Sequence, residues 1–328
     1  MADSPLLSIQ DLHVVFPTYA GNVFAVNGMS FDVRQGEVFG LVGESGCGKS
    51  VTSLAVLRIL PGRGQITSGR VLFDGKDLVQ ASEAELQAVR GRQISMIFQD
   101  PSTSLNPVFT AGNQIVRILR HHKGMSSDEA RSRALELFEE VALPEPRRVF
   151  RSYPHELSGG MQQRVMIAMA LASGARLLIA DEPTTALDVT IQDQILQLLV
   201  ALRRKEGLSI LLITHNLGVV AETCDRVGVA YAGKIVESGP TEAVLRQPRH
   251  PYTQGLLAAL PEAGLRGRDL LSIPGSVPDG LALISGCPFH LRCPHVMDVC
   301  RQAPPDLLPV DRSEQLVACY LYAAEAAR

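Results

Sequence analysis

An α/β fold is what this 328-residue sequence predicts, and three observations predict it. The apolar run Val38-Phe39-Gly40-Leu41-Val42 breaks into a glycine-rich turn and then into an apolar-periodic stretch over residues 51–58, the order strand, turn, helix. Apolar runs at 177–180 and 209–213 flank a segment whose Ile191, Ile195, Leu198, Leu199 and Leu202 share one helical face, as in a parallel βαβ unit. Between these regions, from Pro101 to about Ala175, the apolar period is helical and no strand pattern intervenes.

Taken in order, residues 7–15 and 23–33 read as short strands, the second alternating through Val26, Met29, Phe31 and Val33. Residues 17–22 have the composition of a turn. After the helix at 51–58, Gly62-Arg63-Gly64 breaks the pattern, and residues 69–75 read as a further strand ending in a turn. Ile94-Ser95-Met96-Ile97-Phe98 is a buried-strand candidate closed by Gln99-Asp100-Pro101. In the helical stretch Ile115, Ile118 and Leu119 share a face, as do Ala134, Leu137, Phe138 and Val141, with Ser126 or Ser127 as N-cap. Sheet signals return at 227–231. From His250 onward nine prolines interrupt any long element and four of the six cysteines follow Ser285, so a small loop-rich C-terminal domain is expected.

Composition narrows the function classes. Apolar residues make up 46 % and charged residues 20 %, enough to bury a core for one large domain and an appendage. A net charge of −3 argues against a nucleic-acid partner held by bulk electrostatics. No apolar run of about 18 residues is present, which excludes a transmembrane helix. Met1-Ala2-Asp3-Ser4-Pro5 lacks the basic and apolar regions of a signal peptide, predicting a chain kept in the cytosol with reduced thiols.

Gly43-Glu44-Ser45-Gly46-Cys47-Gly48-Lys49-Ser50 carries the first chemistry. Glycines let a tight turn aim successive N–H groups at a phosphate, Lys49 supplies a point charge, and the Ser50 hydroxyl suits Mg²⁺. Leu177-Leu178-Ile179-Ala180 ends in Asp181 and Glu182, so a buried strand delivers one carboxylate toward a metal and the next toward an attacking water. Leu157-Ser158-Gly159-Gly160-Met161-Gln162-Gln163-Arg164 opens an apolar helix, with Ser158 as N-cap and two glycines that leave its positive end open to an anion. On position alone Gln99 also reads as a strand end, Tyr19 as a surface turn aromatic and His215 as a core-edge histidine.

The ordered set of the loop, Gln99, the Ser-Gly-Gly-x-Gln helix, Asp181-Glu182, Ala186-Leu187-Asp188 and His215 resembles the nucleotide-binding subunits of ABC transporters, over about residues 6–247. The resemblance implies a P-loop NTPase (RecA-like) core with an antiparallel β subdomain and a helical insert at about 101–175. It implies ATP hydrolysis at a competent site. Gly43, Glu44, Ser45, Gly46, Cys47, Gly48, Lys49, Ser50 and Val51 match the Walker A loop, and Gln99 the Q-loop glutamine. Ser158, Gly159, Gly160 and Gln162 match the signature, which in the family closes over ATP held by a partner subunit. Asp181 matches the Walker B aspartate, Glu182 the catalytic glutamate, Asp188 the D-loop aspartate and His215 the switch histidine. Mg²⁺ would be held through Ser50, Gln99 and Asp181. Tyr19, with Phe16 as rival, matches the aromatic residue that stacks on adenine.

Residues 248–328 carry Arg249-His250-Pro251-Tyr252-Thr253, Pro274-Gly275-Ser276-Val277-Pro278 and Gly286-Cys287-Pro288-Phe289-His290-Leu291-Arg292-Cys293-Pro294. These resemble the C-terminal extension of oligopeptide and dipeptide ABC importers, a branch shared with nickel importers. The resemblance implies a paralogous second ATPase subunit, two transmembrane permease subunits, an extracytoplasmic solute-binding protein, no nucleic acid, and a peripheral place on the cytoplasmic face of the inner membrane. The function it implies is import of di- or oligopeptides, with the same role for nickel or another small solute, or a soluble ABC ATPase outside transport, as the alternative readings. Cys287, Cys293, Cys300 and Cys319 form a four-thiol set suited to a [4Fe–4S] cluster or to zinc. The spacing lacks a C-x2-C knuckle and some members of the resembling branch carry a cluster, so iron–sulfur is the expectation here, Zn²⁺ the alternative and unligated thiols the remaining reading. Cys47 and Cys224 read as bystanders.

Overall fold

The computed structural model describes residues 4–184, 189–259, 273–311 and 313–322. The chain divides into two compact units, Met1–Gln80 with Thr214–Arg328, and Ala81–Ile213.

In the first unit, alternating apolar residues build an antiparallel sheet with strand order Gly21–Val33, Leu7–Thr18, Gln65–Phe73, Lys76–Asp77. Leu7, Ile9, Leu12 and Val14 are buried on one strand and Val26, Met29 and Val33 on the next. The register slips between Ile9 and Leu12, where Asp11 has φ 46°. Gly69 sits opposite with φ 95°, and a Cβ there would lie 2.4 Å from the Asp11 carbonyl oxygen, so the bulge requires glycine. The first two strands run longer than their apolar residues predict. Pro17 pairs with Asn22 and Thr18 with Gly21, and the Thr18 hydroxyl donates to the Gly21 carbonyl at 2.7 Å, leaving only Tyr19 and Ala20 in the turn.

The same unit holds the strand that feeds the glycine-rich loop. Val38–Val42, buried throughout, runs parallel to Arg226–Tyr231, which pairs antiparallel with Lys234–Pro240. The C-terminal residues join that edge: Leu316–Val317 pairs with Lys234–Pro240, and Leu308–Pro309 with Leu316–Val317. They also share its core. Tyr231, Tyr252 and Phe289 meet ring to ring at 4.6–5.4 Å, packed with Val42, Val227, Val229, Cys287 and Cys300. The loop-rich expectation for this region fits what its described residues form, two α-helices (Pro251–Ala258 and Asp298–Gln302), a 3-10 turn at Tyr320–Tyr322 and two-residue strands.

His250 caps the Pro251–Ala258 helix by accepting the Tyr252 N–H at its Nδ1, 3.1 Å away, and it is fully buried. Burial lowers its pKa from 6.5 to about 3, so the folded chain keeps it neutral while the unfolded chain protonates it. Its contribution is complete above pH 6.5 and is lost as pH falls toward 3. Between pH 6.5 and 5 the loss is about 2 kcal/mol at roughly 1.4 kcal/mol per pH unit. Urea midpoints measured across that range should fall more steeply in the wild type than in His250→Asn, which keeps a capping acceptor but carries no titratable ring, the remaining slope including that of His122, whose pKa burial also lowers.

In the second unit Ile94–Ile97, Leu177–Asp181 and Ser209–Thr214 form a parallel sheet with Ile97 opposite Ala180 and Asp181 opposite Ile213. The helix Val189–Glu206 connects the last two, as its one-sided leucines predict. Ala111–Lys123, Ser127–Glu140, Pro146–Arg151 and Gly159–Ala172 are helices, and among the described residues no strand lies between Pro101 and Ala172. Ser126, not Ser127, is the N-cap, in a capping box with Glu129. Arg164, buried on the Gly159–Ala172 helix, donates to the Val141 carbonyl at 2.7 Å and to Gln194 Oε1 at 2.8 Å, tying that helix to its neighbours. Among the described residues no helix is long and apolar enough to cross a membrane.

Candidate functional site

The loop after Val38–Val42 is shaped by glycines that no other residue replaces without cost. Gly43 has φ 151°, and a Cβ there would stand 2.2 Å from the Ala230 carbonyl oxygen; Gly48 has φ 93°, with a Cβ 2.4 Å from the Ala25 carbonyl oxygen. The loop is therefore pressed against two strands of its own unit, with its outer residues Ser45 and Gly46 exposed. Lys49, 5 % exposed, turns its ammonium inward to the carbonyls of Gly43 (2.7 Å) and Glu44 (3.0 Å). Helix Lys49–Val56 starts at Gly48 with no side chain capping it and no acidic residue in its first turn. Its dipole thus sets positive potential at the loop, and the buried ammonium adds charge of the same sign. Burial raises the Cys47 pKa despite Lys49 alongside, which makes this thiol a packing group. These are the features that suit an anion such as a phosphate. Ser50, at the helix start, is an oxygen donor of the kind Mg²⁺ prefers.

Within the second unit, the strand ends bring Gln99 and Glu182 together: the Gln99 amide donates to Glu182 Oε2 at 3.1 Å. Asp181 is 5 % exposed at the end of its strand. Glu182 holds φ 46° while its N–H donates to the Ile213 carbonyl at 2.9 Å. A left-handed glutamate costs on the order of 1 kcal/mol, and here the adjacent strand holds it there. That turn sends the carboxylate to Gln99. Within this unit Asp181 and Gln99 are oxygen donors of the kind a hard cation takes.

The Gly159–Ala172 helix opens on Ser158, whose hydroxyl accepts the Met161 N–H at 3.4 Å. Gln162 Nε2 donates to the carbonyls of Pro154 (2.9 Å) and Leu157 (3.1 Å), fixing the approach to that helix start. Ser158 and Gly159 are exposed, so this helix end presents its N–H groups outward. Gly160 lies with Ile191 at 3.0 Å from where its Cβ would be.

In the first unit His215 is exposed, just before a helix, Leu217–Thr223, that Asn216 caps through the Gly218 and Val219 N–H groups. Tyr19 stands fully exposed at the hairpin tip, while Phe16 is half-buried with its ring against Gly64. Asp188 lies outside the described residues.

The iron–sulfur expectation is overturned. Among the described residues no group of three or more histidines, cysteines or carboxylates is arranged to hold a metal ion. Cys287, Cys293, Cys300 and Cys319 do line one cavity, but it offers about 10 Å³, near the room of a single water. Burial pushes the Cys287 and Cys319 thiols up to about 11 and raises Cys293 as well. Thiols held protonated inside an apolar core behave as packing groups. The four cysteines gather at one place, and their spacing in the chain says nothing of the space between them.

Sequence comparison matches an ABC transporter family profile over residues 26–185 and a profile for the oligopeptide/dipeptide transporter C-terminal region over residues 236–300. The chain is 52 % identical over 301 residues to a dipeptide transport ATP-binding protein of Bacillus subtilis, covering 92 % of this chain and 90 % of the relative. It is 50 % identical over 315 residues to an oligopeptide transport ATP-binding protein of Salmonella typhimurium, covering 96 % and 93 %. Among solved structures, a dimeric ATP-binding cassette in a post-hydrolysis state bound to ADP and Pi aligns with TM-score 0.65 and 29 % identity, over 72 % of this chain and 98 % of that one. A cassette from Clostridium perfringens that is part of an ABC transporter complex aligns with TM-score 0.63 and 28 % identity, over 74 % and 91 %.

Proposed function

This chain belongs to the ABC transporter family, in the branch with the oligopeptide/dipeptide C-terminal region, and it is an ATPase; we propose that it powers import of di- or oligopeptides. The observation that carries the reading is the glycine-constrained loop, which buries a lysine ammonium against its own carbonyls at the start of an uncapped helix. That is a phosphate cradle, and relatives of half-identical sequence carry peptide-transport ATP-binding names.

ATP bound with Mg²⁺ supplies the phosphoanhydride whose cleavage releases energy. Ser50, Gln99 and Asp181 are the residues that would hold the metal. Lys49 and the N–H groups of the Gly43–Ser50 loop offset phosphate charge, which is most of what a protein does in phosphoryl transfer. Glu182 orients the attacking water and takes its proton, with Gln99 steadying the carboxylate. His215 and Asp188 have roles at the γ-phosphate and at the subunit junction, and Tyr19 stacks on adenine. Ser158, Gly159, Gly160 and Gln162 serve a nucleotide held by the other ATPase subunit, so ATP acts as a clamp between two cassettes. The exposure of that helix start supports this reading.

The assembly we infer comprises this chain, a paralogous ATPase subunit, two membrane-spanning permeases and an extracytoplasmic binding protein, with this chain peripheral on the cytoplasmic face. Gly159→Asp tests the clamp, since it sets a carboxylate at an anion-facing helix end. Phosphate release by the assembled complex should fall by roughly 10²- to 10³-fold, the usual effect of losing such donors. ATP affinity of the isolated chain should stay unchanged. Equal loss of both would place the signature in this chain's own site and end the two-subunit reading.

A further inference from the structure

The C-terminal region reaches the phosphate-binding loop directly. Arg292, whose side chain is 5 % exposed, holds both oxygens of Glu44: one guanidinium nitrogen donates to Oε2 at 2.8 Å, the other to Oε1 at 3.1 Å. The remaining donors anchor the guanidinium from behind. Its Nε donates to the Pro274 carbonyl at 2.8 Å, one terminal nitrogen also meets the Ile273 carbonyl at 3.3 Å, and the other the Tyr231 hydroxyl at 3.4 Å. Glu44 is gripped through its main chain too, its N–H donating to the Tyr252 hydroxyl at 2.9 Å. The Glu44 carbonyl in turn accepts from the Lys49 ammonium at 3.0 Å.

We propose that Arg292 and Tyr252 are positioning residues for the nucleotide site: they hold Glu44, and through its carbonyl Lys49, in the phosphate-receiving form of the loop. All these residues belong to one compact unit. Glycines at 43, 46 and 48 leave this loop many conformations, so something must select one. Interior packing does this for Gly43 and Gly48, each pressed on a strand carbonyl, but a Cβ on Gly46 would meet nothing within 4 Å. Glu44 lies on that outer limb, and two donors and one acceptor from residues beyond 250 restrain it. A bidentate guanidinium–carboxylate pair whose guanidinium is buried is a strong and directional restraint. Coupling of this kind is reciprocal: a loop occupied by phosphate steadies the C-terminal region by as much as that region steadies the loop.

The inference rests on the reading that the Gly43–Ser50 loop holds ATP, and the test separates the two. In the assembled complex Arg292→Ala should raise the KM for ATP about tenfold and leave kcat within about twofold, because positioning of the ground-state phosphate is lost while Glu182 is untouched. Arg292→Lys should restore little, since an ammonium cannot bridge both carboxylate oxygens. Arg292→Ala combined with Glu44→Ala should be no worse than either alone. Tyr252→Phe, which deletes one hydroxyl and keeps the ring packing, should raise KM severalfold even if Arg292→Ala does not fold. In the wild type, ATP should slow hydrogen exchange of residues 287–300, and Arg292→Ala should abolish that protection. Wild-type KM in Tyr252→Phe and in a folded Arg292→Ala, or additive effects in the double variant, would overturn the proposal. Were Lys49→Ala instead to bind ATP normally, the nucleotide reading itself would fall.

Discussion

Glu182→Gln should lower ATP hydrolysis by the assembled complex roughly 10²- to 10⁴-fold while ATP binding and ATP-driven association of the two cassettes persist. The substitution is nearly isosteric. Its Oε1 still accepts the Gln99 amide at the position now 3.1 Å away, and the backbone at φ 46° is unaffected because the Glu182 N–H remains on Ile213. What disappears is the group that takes a proton from water, a contribution worth about 10²- to 10⁴-fold. Charge repulsion near the γ-phosphate also drops, so the ATP-bound pair should dissociate more slowly than in the wild type. Steady-state phosphate release and native mass spectrometry of the ATP-loaded complex read the two halves separately. Hydrolysis at the wild-type rate would remove Glu182 as the base.

The second large effect is Gly48→Ala, which should abolish ATP binding and lower the melting temperature. Gly48 has φ 93°, where an L-residue pays roughly 1–2 kcal/mol. Its added Cβ would stand 2.4 Å from the Ala25 carbonyl oxygen, about 1 Å inside ordinary contact. The obstacle is backbone of the Gly21–Val33 strand, so relief comes from moving the helix start and Lys49 with it. A misplacement of about 1 Å costs on the order of 10²-fold at a phosphate site. Gly36→Ala is the control, for it also has positive φ (68°) but meets nothing within 4 Å. Thermal melts with and without Mg-ATP should show a ligand-induced rise in the wild type and Gly36→Ala and none in Gly48→Ala. An equal rise in all three would mean that close approach to Ala25 does not shape the cradle.

Much of the chemistry was legible in one dimension because it depends on neighbours in the chain. The loop of residues 43–50 needs a buried strand before it and a helix after it, and both are local patterns. The same holds for Asp181-Glu182 at the end of an apolar strand and for Ser158 before an apolar helix. Where local signals were weak, elements went unread. The seven-residue helix Glu83–Val89 carries a capping box, Ser82 with Glu85, but buries only Leu86 and Val89, too few to set a period. Lys234–Pro240 is a buried strand whose composition, with glutamate and glycine, hides it; Glu237 is tolerated inside because the Arg249 and His250 N–H groups and the Gln315 amide all donate to it.

The four cysteines and Arg292 mark the divide between chain order and space. Strand period and glycine placement predict an α/β fold with a phosphate loop, since each arises from residues within about ten positions of one another, and the order of the motifs along residues 43–215 carries the resemblance to the ABC family. The size of the gap among Cys287, Cys293, Cys300 and Cys319 depends on how Phe289, Tyr231 and Tyr252 pack beside them, and packing leaves no trace in spacing. The grip of Arg292 on Glu44 joins residues 248 positions apart. No pattern along the chain announces it, because that contact exists only after the C-terminal region has folded onto the strand that feeds the loop.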